Sequence, residues 1–289
     1  MKKIIGYSLL GLLTITLILG IFGIRKFNNT YFKDRVAYLE FNHEPEPIQF
    51  NWTNQKIGDH LESQVAMILP LKIGDLKHDL YMQFDTGAPD SFIYENDLNS
   101  LRKLGYDIKE VEKDGYRFVE SFKMVLGGNL VTLSMVKIYP NYGSNFSEDT
   151  PKHNKLIIGT IGSDILVDRI TSIDFKNETL EFFDKRPEWM RKIKGFKAFD
   201  FSGRRVMLPA TVDGKNYEFL YDSGCSAFGL ITTKQRFEKY TEASTPIVSY
   251  AAKSWEDKIH INSKPSEHPL IIGSTQLQMN RVSCVDMYS

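Results

Sequence analysis

Short apolar runs separated by polar turns recur along the chain from about residue 65 onward. Residues 65–73 and 80–84 are two such runs, and the turn between them carries Gly74-Asp75, a combination typical of a β-hairpin. Only the stretches 96–106 and 233–240 have the apolar spacing of short helices. The pattern therefore predicts a mainly β fold. Further strands are predicted at 91–94, 116–125, 130–139, 170–175, 179–183 and 229–232, and an apolar run with two glycines spans 156–166.

The pattern of the first half starts again in the second half. Residues 207–222 can be aligned with 68–85, and the region 271–285 is similar to 127–139. A repeat of roughly 138 residues is too long for a solenoid and indicates two duplicated lobes. The predicted divisions are a first lobe at 63–185, an interlobe linker at 186–204 and an incomplete second lobe at 205–289.

A long uncharged stretch precedes the lobes. Residues 4–24 contain no charged side chain, and as a helix they would span about 30 Å, the thickness of a bilayer's hydrocarbon core. No small-residue cleavage site is evident, so we predict an uncleaved transmembrane signal anchor. The body of this single-pass protein is then expected on the extracytoplasmic side. Residues 25–62, with Glu44-Pro45-Glu46-Pro47 in the middle, read as a stalk, linker or wrapping segment.

Composition excludes several classes of function. The 289 residues contain 36 Lys plus Arg and 36 Asp plus Glu, so the charge balance gives no reason to expect a nucleic-acid partner. The six histidines are scattered without metal-ligand spacing, and we expect neither a metal nor another cofactor. Cys225 and Cys284 are the only cysteines, which leaves either one bridge or two small buried residues.

Two matched carboxylate turns carry the candidate chemistry. An apolar strand leads into Asp85-Thr86-Gly87, and a second one leads into Asp222-Ser223-Gly224. If the two lobes pack about a pseudo-two-fold axis, Asp85 and Asp222 face each other and share one proton. The ionised member can then take a proton from a water, while the protonated member stabilises the oxyanion formed at a carbonyl.

From about residue 65 to 289 the chain resembles the pepsin and retropepsin superfamily of aspartic peptidases, of a bacterial type. The stretch Asp85-Thr86-Gly87-Ala88-Pro89-Asp90-Ser91 is similar to the retroviral-type active-site loop. Either Ile157-Ile158-Gly159 or Thr160-Ile161-Gly162 resembles the apolar-apolar-Gly support beneath it. The resemblance implies a two-lobed acid protease fold that hydrolyses peptide bonds. It implies these site residues: Asp85 and Asp222 as catalytic groups, Thr86, Gly87, Ser223 and Gly224 as loop supports, and Tyr116 as a candidate flap aromatic.

The second lobe departs from the family pattern. It stops at Ser289, where the first lobe continues for some 45 residues through its support, and Phe228 stands where Ser91 stands in the first lobe. Two alternatives to an intramolecular peptidase therefore stay open. One is a catalytically inactive pepsin-like module for envelope binding or scaffolding. The other is a homodimer in which Asp85 of two chains supplies both carboxylates. The expected partners are a peptide or protein substrate and, through residues 4–24, a membrane; the protein is a monomer or a homodimer.

Overall fold

A computed structural model describes residues 38–57, 60–152, 154–193, 197–254, 257–266, 268–279 and 281–285. The fold of this part is mainly β, as the sequence pattern predicts, with two short α-helices. Turn chemistry explains several hairpins: Asp114 and Gly115 both adopt a positive φ between two paired strands, as an Asp-Gly hairpin tip requires.

The strands of the first half are β1 (Tyr38–Phe41), β2 (Ile48–Gln49), β3 (Asn51–Trp52), β4 (Gln55–Ile57), β5 (His60–Glu62), β6 (Met67–Lys72), β7 (Leu80–Asp85), β8 (Phe92–Tyr94), β9 (Glu110–Lys113), β10 (Tyr116–Leu126), β11 (Asn129–Tyr139), β12 (Leu156–Gly162), β13 (Ile170–Asp174) and β14 (Thr179–Phe183). Helix α1 spans Glu95–Lys103. The strands of the second half are β15 (Met207–Val212), β16 (Lys215–Leu220), β17 (Leu230–Thr232), β18 (Val248–Ser254), β19 (Asp257–Pro265), β20 (Leu270–Ile272), β21 (Thr275–Leu277) and β22 (Arg281–Val285), and helix α2 spans Lys234–Tyr240.

The first half is built on one nine-stranded sheet. Its order is β1-β11-β8-β12-β7-β6-β10-β9, with β3 paired to β6. Strand β10 also pairs with β11, so the pairing from β11 through β8, β12, β7 and β6 to β10 returns to its start and forms a closed ring. Strand β7 shows why the apolar runs form strands here, since Leu80, Met82 and Phe84 are buried on one face.

Strand β12 lies between the two strands that flank the first carboxylate turn. It pairs in parallel with β7 and antiparallel with β8. A Cβ on Gly159 would lie 2.3 Å from the backbone oxygen of Phe92, and a Cβ on Gly162 would lie 2.5 Å from that of Asp90. Glycine is therefore required where β12 passes β8 at Gly159 and where it passes beneath the turn at Gly162.

The second half consists of two separate four-stranded sheets. Their orders are β16-β15-β20-β21 and β17-β22-β19-β18, and a smaller apolar cluster that includes Val212, Phe237 and Val282 lies between the elements. Among the described residues no strand joins β16 to β17. Few side chains pack against β16, since no residue of Lys215–Leu220 is buried.

The predicted stalk or linker at 25–62 differs from the structure from residue 38 on. Strands β1, β2 and β3 pair with β11, β14 and β6, and Leu39, Ile48 and Phe50 are buried in the core of the first half. These strands have two to four residues each, too few to show a hydrophobic period, and their partners come from later in the chain. All the elements belong to one compact unit, which extends from Ala37 to Ser289.

The predicted signal anchor at 4–24 lies outside the described residues. Within the part of the chain that is described, no helix is long and apolar enough to cross a membrane.

Candidate functional site

The first carboxylate turn holds Asp85 at the buried end of β7. The backbone N–H of Gly87 donates to Asp85 Oδ1 at 2.9 Å, and that of Ala88 donates to the same oxygen at 3.2 Å. This tight turn follows from the sequence, because an aspartate bonds the backbone two and three residues ahead and the glycine leaves room beside it. The carboxyl is only 8% exposed.

The second turn repeats this geometry at the end of β16. The backbone N–H of Gly224 donates to Asp222 Oδ1 at 2.9 Å, the distance found at Gly87. A single turn of 3₁₀-helix, Ser223–Cys225, follows the carboxyl. Asp222 is half-buried. The two turns predicted from the duplicated motif therefore have the same local conformation.

Reciprocal hydrogen bonds join the two turns. The N–H of Thr86 donates to Ser223 Oγ at 3.0 Å, and the N–H of Ser223 donates to Thr86 Oγ1 at 3.0 Å. Each hydroxyl then donates across the pair, Thr86 Oγ1 to the carbonyl of Tyr221 at 2.7 Å and Ser223 Oγ to that of Phe84 at 2.9 Å. The equal bonds in both directions place a local pseudo-two-fold axis between the turns.

The glycines let each carboxyl lie against the opposite turn. A Cβ on Gly87 would lie 2.5 Å from Cγ of Asp222, and a Cβ on Gly224 would lie 2.3 Å from Cγ of Asp85. No side chain could occupy either position without displacing a carboxyl. The structure thus brings together Asp85, Thr86 and Gly87 with Asp222, Ser223 and Gly224, all six predicted from the sequence.

The two carboxyls share a hydrogen bond, and their acidities are perturbed together. Burial raises the pKa of Asp85 to about 7, and the charge of Asp222 and the hydrogen bond to it add to the rise. Burial also raises the pKa of Asp222, although the hydrogen bond from Asp85 opposes that rise. Two close carboxyls cannot both ionise easily, so the pair retains one proton at mildly acidic pH.

The first turn is braced from below by β12 and the residues after it. Ser91 Oγ donates to Asp164 Oδ1 at 2.7 Å and accepts from the N–H of Gly162 at 3.0 Å. The N–H of Ser163 donates to the carbonyl of Ala88 at 2.8 Å. The apolar-apolar-Gly run that lies beneath the turn is thus the one ending at Gly162.

A buried ion pair ties the interlobe segment to the same turn. Arg204 Nη2 lies 3.0 Å from Asp90 Oδ1, and the Arg204 side chain is 7% exposed. The hydroxyl of Ser163 donates to the Arg204 carbonyl. Sequence reasoning missed Arg204, since nothing in the local pattern of the segment 186–204 distinguishes this residue from the other basic residues.

The second turn has a different surrounding. Phe228 occupies the place that Ser91 has in the first turn, and its ring stacks on Tyr250 with the centroids 6.3 Å apart. Within the turn itself, Ser226 Oγ donates to the carbonyl of Ser223 at 2.7 Å. No described strand passes beneath it, which agrees with the departure noted in the sequence.

A cleft of about 540 Å³ opens over the two carboxyls. Aromatic and aliphatic side chains from both halves line it, and β4 contributes Gln55 and Lys56. The aromatic residues of the lining are Phe92, Tyr94, Tyr139, Tyr142, Phe228 and Tyr250. Sequence reasoning missed the two residues of β4, because three residues within an apparent stalk carry no signal of a binding wall.

Tyr116 lies apart from this lining. Its side chain is 38% exposed, and Lys137 Nζ lies 4.0 Å from the centre of its ring. The hairpin that reaches the cleft is β4–β5, whereas the tip beside Tyr116 connects β9 and β10.

Cys225 and Cys284 are both free thiols. Cys225 lines the cleft, where burial and the nearby carboxyls raise the pKa of its thiol to about 12. A thiol with this pKa is protonated at neutral pH and is therefore a poor nucleophile.

Among the described residues no group of three or more histidine, cysteine, aspartate or glutamate side chains could hold a metal ion. No protein-family model matches the chain, and a search of curated proteins finds no match either.

Proposed function

We propose that this protein is an aspartic endopeptidase of the pepsin and retropepsin type, with lobes at 63–185 and 205–289 and the catalytic dyad Asp85 and Asp222. The observation that supports this most directly is the set of reciprocal bonds between Thr86 and Ser223. They hold the buried Asp85 and the half-buried Asp222 of one chain together at the base of a cleft.

In this proposal the carboxyl that holds the shared proton acts as the acid, and the ionised carboxyl acts as the base. The ionised member removes a proton from a water positioned between them, and this water attacks the scissile carbonyl carbon. The protonated member donates a hydrogen bond to the carbonyl oxygen, which becomes the oxyanion of the tetrahedral intermediate. A proton then passes to the leaving amine. The dyad titrates as a pair, so the two roles are not assigned to fixed residues.

The raised pKa of Asp85 indicates the pH range in which such an enzyme would be active. A dyad that loses its shared proton near pH 7 remains singly protonated through mildly acidic pH. Activity is then expected to fall as the pH rises above about 7, because the acid that polarises the carbonyl is lost. The proposal keeps residues 4–24 as the membrane anchor.

The test is peptide cleavage by the full-length chain in a mild detergent, on a mixed peptide library from pH 3 to 8. Asp85→Asn and Asp222→Asn are the matched variants, and a statin-type transition-state mimic is the inhibitor. Loss of cleavage in both variants, by at least about a thousandfold, together with inhibition of the wild type, supports the intramolecular dyad. Loss in Asp85→Asn alone indicates a site shared between two chains.

A non-catalytic binding module is the second candidate. The observation that favours it is that, in the described part of the second half, no strand lies under the Asp222 turn. A carboxyl held less firmly is a poorer catalyst, because acid–base catalysis depends on geometry. A folded wild-type protein that binds peptides in the cleft and cleaves none of them at any pH would establish this candidate and refute the peptidase.

A further inference from the structure

The cleft over the carboxyls has an uneven distribution of charge. Its described lining is mostly apolar and aromatic, and the only acidic side chains in it are Asp85 and Asp222. Lys56 is the only basic side chain in the described lining. A positive group at the wall of a cleft whose only other charge lies on the dyad attracts a negative group on whatever occupies that cleft.

Lys56 is available for such a partner. Its side chain is exposed, and no carboxylate of the described residues pairs with it. Other basic residues nearby are already engaged, such as Lys137, whose ammonium lies over the rings of Tyr116 and Phe92. A lysine that lines a cleft without an internal partner can pair with a ligand without first breaking another ion pair.

The element that carries Lys56 is suited to contact a bound chain. Strands β4 and β5 pair only with each other, with Lys56 opposite Leu61, and they form a two-stranded sheet apart from the main one. The hairpin contributes Gln55 and Lys56 to the lining of the cleft, which also includes Val65 and Ala66, directly before β6. An extended peptide along this wall can bring one side chain to the ammonium.

We propose that Lys56 is a specificity-determining residue, which selects peptides that carry an aspartate or glutamate side chain near the bond to be cleaved. This inference rests on the proposed peptidase function and deepens it. The other side chains of such a substrate are apolar, in keeping with the remainder of the lining. A glutamate is ionised at mildly acidic pH, where the dyad still holds its shared proton, so both requirements are met together.

The test uses pairs of internally quenched peptides that differ only by glutamate or glutamine at one position. This position is moved stepwise from four residues before the scissile bond to four residues after it. At one position we expect the glutamate peptide to be cleaved about threefold to fivefold more efficiently, as judged by kcat/KM. The ratio should shrink in 0.5 M salt and should vanish near pH 3, where the glutamate is protonated.

Lys56→Gln should bring that ratio to one, and Lys56→Glu should invert it, so that the glutamine peptide is cleaved more efficiently than the glutamate peptide. Lys123→Glu is the matched control, since it makes the same charge change on an exposed residue of β10 that does not line the cleft. The control should keep the wild-type ratio. An unchanged ratio in Lys56→Glu, or equal cleavage of both peptides at every position, overturns the inference.

The same experiments distinguish failure of the peptidase proposal from failure of the role proposed for Lys56. Cleavage of the glutamine peptides without charge preference refutes the role of Lys56 and leaves the peptidase intact. If no peptide is cleaved, the peptidase is refuted. Fluorescence-polarisation binding of peptides with a reduced scissile bond then tests the cleft by itself. Tighter binding of the glutamate form that is lost in Lys56→Gln supports the charge selection, and equal binding refutes it.

Discussion

The two carboxylate turns have the same shape but different support. The Asp85 turn lies on the end of β12 and the residues after it, because Ser91 donates to Asp164 and the N–H of Ser163 donates to the carbonyl of Ala88. The Asp222 turn has no described strand beneath it, and Phe228 covers its side with an aromatic stack. The two turns therefore keep the same conformation although different contacts support them.

The difference shows that the second turn depends on the first. Thr86 and Ser223 take part in four hydrogen bonds between the turns, two with each other and two to the carbonyls of Tyr221 and Phe84, and these bonds are among the main fixed points of the Asp222 turn. The Asp85 turn, which β12 supports, can act as a template: it holds the Asp222 turn in place through these hydrogen bonds. The position of Asp222 is then set largely by residues of the first half.

The largest expected effect on stability comes from disrupting the contact between β12 and the Asp85 turn. Gly162→Ala would place a Cβ 2.5 Å from the backbone oxygen of Asp90, so β12 and the turn must separate. We expect a loss of about 3 kcal/mol or more in the free energy of unfolding, measured by denaturant titration. Gly229→Ala is the control in the second half, since its Cβ would meet only the Arg281 carbonyl, at 3.1 Å, and should have an effect below about 1 kcal/mol. Equal effects would contradict the difference in support.

Removal of Arg204 should have the next largest effect. Arg204→Gln leaves Asp90 without its buried ion-pair partner, and we expect a loss of about 3 kcal/mol in unfolding free energy. Lys239→Gln breaks the exposed pair with Asp213 in the second half and should change stability by less than about 1 kcal/mol. Thermal or chemical denaturation of both variants checks this order, which a small effect of Arg204→Gln would reverse.

The cross-turn hydroxyls should affect both stability and activity. Thr86→Ala and Ser223→Ala each remove two of the four bonds and leave a buried backbone N–H unpaired. We expect each to lower the unfolding free energy by about 2 kcal/mol and kcat by at least about tenfold. Thr86→Ser and Ser223→Thr retain a hydroxyl and should recover most of both losses. Wild-type kcat in either alanine variant would refute the template role.

The smallest expected effect is a pH dependence that has opposite signs in the two halves. Burial raises the pKa of Asp97 to about 7, although the N–H of Ser144 donates to its Oδ2 at 3.0 Å. Since its pKa when unfolded is near 4, the protein loses stability as the pH rises from about 4 to 7. Asp97→Asn should therefore gain about 1–2 kcal/mol at pH 8 and little at pH 4, measured by denaturation at both values.

Asp213 in the second half provides the contrast. Its hydrogen bond with Lys239 and the charge of that residue lower the pKa of Asp213. Its contribution to stability is thus present at neutral pH and is lost as the pH falls through the lowered pKa. Asp213→Asn should not be stabilising at pH 8. A gain there similar to that of Asp97→Asn would contradict the assigned environments.

The parts of the site that a local pattern encodes could be predicted. Asp85 and Asp222 each follow an apolar run and precede a hydroxyl and a glycine, so both turns and their meeting were predictable from the repeat. The run ending at Gly162 was one of two candidates for the support, and the sequence did not distinguish it from the run ending at Gly159. No described strand of the second half is a counterpart of β12, and comparison of the two copies of the repeat predicts this difference.

The parts that depend on distant partners could not be predicted. Arg204 becomes significant only because folding brings Asp90 against it, and β1 to β3 become core strands only through pairing with later strands. Lys56 reaches the cleft through the pairing of β4 with β5, in a segment whose composition indicates a stalk. Side-chain environment is set by tertiary structure, which no local window contains.

The central claim is that Asp85 and Asp222 of one chain share a single proton. Carbon-13 NMR of the protein labelled at its aspartate carboxyl carbons tests this directly, with a pH titration of the wild type beside Asp85→Asn and Asp222→Asn. We predict one coupled pair of signals that stays singly protonated at mildly acidic pH and titrates near pH 7, and that is lost in either variant. Two carboxyl signals that titrate independently near pH 4, each unaffected by replacement of the other residue, would contradict the claim.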